Sequence, residues 1–72
     1  MKAFKGTSGG FTFEQKMARM YWDQYKDGRT LVLRSETLGY PEGKTLTDLQ
    51  YKRGVIYDYA GREIRPIHIE AI

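Results

Sequence analysis

Thr12 to Gly28 constrains this chain more than any other stretch. Phe13, Met17, Met20, Tyr21 and Tyr25 recur at i, i+4, i+7, i+8 and i+12, the positions of one stripe on a 3.6-residue helix. Thr12 precedes the stripe with Gln15 three residues on, the residue pair of a capping box. Asp27-Gly28 follows it, and Gly28 stands where a helix ends in a left-handed residue. Spacing and caps together predict a helix over residues 13–27, with Arg19 and Asp23 as i,i+4 partners on its wet face.

A helix striped in this way needs an apolar surface to lie on, and a chain of 72 residues can supply only a small one. A domain of this length buries about 60% of the surface its unfolded chain exposes, so its margin of stability is thin. No cysteine is present to staple it, which also removes thiolate metal sites and thiol chemistry. The absence of cysteine suits a reducing compartment, and the cytoplasm is the expected location. The opening Met1-Lys2-Ala3-Phe4-Lys5-Gly6 has a positive start but no apolar stretch behind it, so it does not read as a secretory signal. The longest strictly aliphatic run, Leu31-Val32-Leu33, is far short of the roughly 20 residues of a membrane span, and no membrane association is expected.

The other elements are shorter. Lys2 to Lys5 reads as a brief strand, and Thr30 to Glu36 as another. Gly39-Tyr40-Pro41-Glu42-Gly43 is a turn. Thr47 and Gln50 repeat the capping-box pattern before a glycine at 54, which predicts a short helix over residues 48–53. Val55–Tyr59 and Arg62–Glu70 read as a hairpin, with Asp58 and Gly61 at the first and last positions of a type I turn. Pro66 cannot donate to a ladder, so the last strand should lie at a sheet edge. The expected fold is therefore α+β in one small domain. One long amphipathic helix packs on a mainly antiparallel sheet of three or four strands, with a short second helix and a C-terminal β-hairpin. The expected core draws on Phe4, Phe13, Met17, Met20, Tyr21, Leu31, Leu33, Leu49, Val55, Tyr57, Ile67 and Ile69.

Little here has the pattern of a reaction centre. His68 is the only histidine, and in Ile67-His68-Ile69 alternation turns it away from the face that the isoleucines bury. Gly39 to Thr45 has three residues between its glycines where a phosphate loop needs four, and Pro41 removes a backbone donor. No catalytic residue, metal ligand or cofactor is expected, and no small-molecule substrate is evident.

Charge is more informative. The chain carries a formal net charge of +3. Lys2, Lys5, Lys16 and Arg19 oppose only Glu14 within residues 1–20, and the rest of the sequence is balanced. These cations surround Gly6-Thr7-Ser8-Gly9-Gly10 at a helix start, where free N–H groups favour an anion. Gly6-x-x-Gly9 resembles the clamp loop of KH-type RNA-binding domains, with Thr7 and Ser8 where that loop carries a basic residue. Four residues do not assign a family. The leading expectation is a non-enzymatic, regulatory binding protein of bacterial or phage type that docks on nucleic acid. Lys2, Lys5, Lys16 and Arg19 would meet phosphates, and Gly9 and Gly10 would let backbone approach. The alternative is a protein-interaction module (an inhibitor, adaptor or homo-oligomer). It would use Trp22, off the main stripe, and the C-terminal edge strand with Ile67 and Ile69.

Overall fold

The structure, a computed structural model, describes residues 12–72. Helix α1 spans Phe13–Lys26 and is capped as its sequence predicts. The Gln15 N–H donates to Thr12 Oγ1 at 3.1 Å, and the Thr12 N–H donates back to Gln15 Oε1 at 2.8 Å. At the other end Gly28 takes φ +97°. The Arg29 N–H reaches the Gln24 carbonyl at 2.9 Å and the Gly28 N–H reaches that of Tyr25 at 3.0 Å, the two bonds of a Schellman ending.

Six short strands follow: β1 Leu31–Leu33, β2 Thr45–Leu46, β3 Gln50–Lys52, β4 Val55–Tyr57, β5 Glu63–Ile64 and β6 Ile69–Ala71, with a 3₁₀ turn at Pro66–His68. They form two antiparallel sheets, β2-β1-β6 and β3-β4-β5, where the sequence predicts one. The fold is α+β.

Two further expectations change. Residues 48–53 do not form a helix. Asp48 lies at φ +55°, outside any helical start, and Leu49, Gln50, Tyr51 and Lys52 alternate inward and outward as strand β3. The Arg53-Gly54 pair has φ of +53° and +81°, the conformation of a two-residue type I′ turn, and joins β3 directly to β4. Sheet pairing thus overrides a local capping pattern. The strand expected over residues 62–70 is also broken. Pro66 is buried at the first position of the 3₁₀ turn, where its missing N–H removes no needed bond. The turn carries the chain from one sheet to the other, where β6 does lie at an edge.

The core consists of Ala18, Leu31, Leu33, Leu46, Leu49, Ile56, Ile64 and Ile69. Among the expected core residues Leu31, Leu33, Leu49 and Ile69 are buried, and Tyr21 is half-buried against them. Phe13, Met20 and Ile67 are exposed, Met17, Val55 and Tyr57 are half-buried, and Phe4 lies outside the described residues. On β4 the inward residue is Ile56 and not its neighbours, because a shift of one residue exchanges the two faces of a strand. On α1 the face against the sheets runs through Ala18, Trp22 and Tyr25. At about 100° per residue this face is rotated by roughly 140° from the Phe13–Met17–Met20 stripe. Small residues decide the rotation. Ala18 lets the helix approach, and a Cβ built on Gly54 would lie 2.9 Å from Gln15 Cγ.

Candidate nucleic-acid interface

That rotation gives α1 two unlike flanks. One runs along the β3–β4 hairpin. Gln15 lies over Gly54, and its Nε2 donates to the Arg53 carbonyl at 3.4 Å. One turn further on, Arg19 Nε donates to both Asp23 carboxylate oxygens at 3.1 and 3.3 Å. Asp23 raises the Arg19 pKa above its ordinary value, with a smaller contribution from the Tyr51 hydroxyl. That hydroxyl is buried without a hydrogen-bond partner among the described residues. Trp22 then stacks on the Tyr51 ring at 5.6 Å and 15°, and meets Tyr25 at 5.5 Å.

Hence the hairpin tip, Arg53-Gly54, is held against Gln15, on the half of the helix that carries Lys16 and Arg19, with Lys52 beside it. All four cations are exposed. Lys16, Lys52 and Arg53 have no ion-pair partner among the described residues. Tyr51 faces the helix, so alternation turns Lys52 to the outer face of the hairpin while Arg53 forms its tip. Glu14, the acid nearest in sequence to Lys16, is drawn to the other flank. It accepts Arg65 Nε at 2.8 Å and a second guanidinium nitrogen at 2.9 Å. The hydrogen bonds from Arg65 hold its carboxyl below the usual range.

Of the residues expected to meet nucleic acid, Lys2, Lys5, Gly9 and Gly10 lie outside the described residues. Lys16 and Arg19 are placed together, with Arg19 partly neutralised by Asp23. Of the residues expected at a protein interface, Trp22 is half-buried in its aromatic stack and Ile69 is fully buried in the core. Ile67 alone of the three is presented to solvent. His68 is half-buried in the 3₁₀ turn and not on a strand, and its carbonyl accepts the Arg34 N–H at 2.8 Å. Among the described residues no three His, Asp or Glu side chains converge as a metal site requires, and no helix is long and apolar enough to cross a membrane.

The contribution of Lys52 and Arg53 was not anticipated. The available signal was Arg-Gly between two alternating runs, a weaker form of the Asn-Gly hairpin mark. Comparison with protein-family models, curated proteins and solved structures returns no match. The geometry therefore carries the functional reading.

Proposed function

We propose that this chain is a non-enzymatic protein that docks on the phosphate backbone of nucleic acid through the α1 flank and the β3–β4 hairpin tip. The observation that supports this reading is the placement of Arg53, held at the hairpin tip by Gln15, beside the helix flank that carries Lys16 and Arg19, with Lys16 and Arg53 free of an ion-pair partner among the described residues and Lys52 next to Arg53 on the outer face of the hairpin. Arg53 adds a second indication. It occupies φ +53°, a region costly for a residue with a Cβ, where Asn or Gly serves a type I′ turn better. An exposed arginine kept in a strained position is explained when its guanidinium is used. The surface is exposed and charged, which suits contact with phosphates.

Fluorescence anisotropy with labelled single- and double-stranded oligonucleotides tests this reading. Contacts to three or four phosphates should weaken binding on the order of 40- to 150-fold between about 50 and 200 mM salt. Lys16→Glu and Arg53→Glu should each flatten the salt dependence by about one contact. No binding to any oligonucleotide at low salt would rule the proposal out.

A further inference from the structure

A cleft lies at the base of the β3–β4 hairpin, at the end opposite the Arg53-Gly54 tip, between that hairpin and strand β2. Its volume is about 250 Å³, over a floor of the buried Leu46 and Leu49. Two tyrosines line it. Tyr40 is fixed: its hydroxyl accepts from Arg62 at 3.1 Å, and Lys44 Nζ lies 5.6 Å from its ring centre. Tyr59 is 72% exposed. It stands inside the Asp58–Gly61 turn, yet Asp58 supplies that turn's acceptors and Gly61 its positive φ. Neither the turn nor the core therefore calls for an aromatic residue at 59. Lys44, Thr45, Thr47 and Asp48 line the cleft as well. Lys44 and Asp48 are exposed and have no ion-pair partner among the described residues.

We infer that this cleft receives one unstacked nucleobase that carries an exocyclic amino group, with Tyr59 against the face of the base, Asp48 on the amino group and Lys44 on a phosphate of the same strand. The inference rests on the nucleic-acid reading for the class of ligand and adds a site that tells bases apart, which phosphate contacts cannot do. An exposed tyrosine at the mouth of a cleft serves a planar ligand, because stacking on a base needs only the two π-faces. A carboxylate accepts and does not donate. Asp48 thus matches an amino group and not the carbonyl that uracil or thymine presents in its place. An unpaired ammonium beside the aromatic pair suits an anion, which a nucleotide carries and a neutral sugar does not. Thr45 and Thr47 hydroxyls both donate and accept, so they fit either neighbouring edge atom. Size is selective too. The cleft is below the roughly 300 Å³ at which small-molecule pockets begin, which suits one ring system and not a dinucleotide. Leu49 to Arg53 is four residues, about 13 Å along the strand, or about four nucleotides at the stacked spacing of about 3.4 Å. A strand that meets phosphates at the tip therefore reaches the cleft within a few nucleotides.

Titration of the full chain with CMP, AMP and UMP, read by NMR of the tyrosine rings, tests the site apart from backbone docking, because no oligonucleotide is involved. CMP and AMP should shift the Tyr59 ring signals upfield and bind at least about fivefold tighter than UMP. Tyr59→Ala should weaken CMP binding on the order of 5- to 150-fold. The side chain is exposed, so the variant should fold as the parent does. Asp48→Asn presents a donor as well as an acceptor and should remove the preference for CMP over UMP. Lys16→Glu should leave all three affinities unchanged. Equal affinity for CMP and UMP, unaltered binding in Tyr59→Ala, or no Tyr59 shift with any nucleotide would overturn the inference. Any of these alongside salt-dependent oligonucleotide binding would leave the phosphate-docking reading in place. Selective capture of CMP without oligonucleotide binding would remove that reading and keep this site.

Discussion

At the scale of single residues, Arg53 and Gly54 explain most about the β3–β4 hairpin. Both adopt positive φ, but only glycine does so without penalty. Arg53→Asn should therefore stabilise the chain by about 0.5–1 kcal/mol while weakening oligonucleotide binding, measured by urea unfolding and anisotropy on the same sample. Equal or tighter binding by the stabilised variant would remove the functional argument for the strained arginine. Gly54→Ala should cost more than about 1 kcal/mol. Its Cβ adds the penalty of a positive φ to a 2.9 Å approach to Gln15 Cγ, close to the helix backbone and unable to swing aside. The sequence marks some turns and not others for a physical reason. Asp58-Tyr59-Ala60-Gly61 was legible because Asp58 supplies its own acceptor, with Oδ1 taking the N–H groups of Ala60 at 2.9 Å and Arg62 at 2.8 Å. Leu38-Gly39 and Arg53-Gly54 were not, because the residue before glycine contributes nothing to the turn itself.

At the scale of elements, the helix was legible in its ends and illegible in its orientation. Caps are local chemistry, so Thr12, Gln15 and Gly28 report their own roles. Which face meets the sheet depends on where small residues permit close approach, and Ala18 does not register as a member of an apolar stripe. A direct consequence is a reversed ranking of helix variants. Ala18 is 2% exposed at the centre of the packing face, so Ala18→Leu should destabilise by about 1–3 kcal/mol through overpacking. Met20 is 40% exposed, so Met20→Lys should change stability by no more than about 0.5 kcal/mol. The stripe read from the sequence predicts the opposite order, and chemical denaturation of the two variants distinguishes them. The same logic applies to β4. Val55-Ile56-Tyr57 has no polar residue to reveal its parity, and only pairing with β3 and β5 turns Ile56 inward.

At the scale of the whole molecule, two three-stranded sheets need ties that neither provides alone. Arg62 is one. From the second sheet it donates to Asp58 Oδ2 at 3.0 Å, then crosses to the β1–β2 loop, reaching the Leu38 carbonyl at 3.2 Å and the Tyr40 hydroxyl at 3.1 Å. Its guanidinium also lies 5.3 Å from the centre of the Tyr40 ring. The Glu14–Arg65 pair is the second tie, between the helix and the 3₁₀ turn. Asp58 holds Arg62 in place for the first tie and Glu14 is one end of the second, so both are acid-labile. Burial pushes the Asp58 carboxyl up, but the N–H groups of Arg62 and Ala60 and the Arg62 charge outweigh it and leave its pKa lowered. The Glu14 pKa is lowered as well, chiefly by hydrogen bonds from Arg65. Between the folded and unfolded values the unfolded chain binds more protons, so stability falls as pH falls. Urea midpoints should thus hold level from neutral pH down to the unfolded carboxylate range near about 4, and drop as pH goes lower toward the folded values. Asp58→Asn keeps an acceptor for the turn but removes a titrating group, so its midpoint should start lower and decline less with acid. An undiminished acid decline in both Asp58→Asn and Glu14→Gln would mean that these two carboxylates do not hold the sheets and helix together.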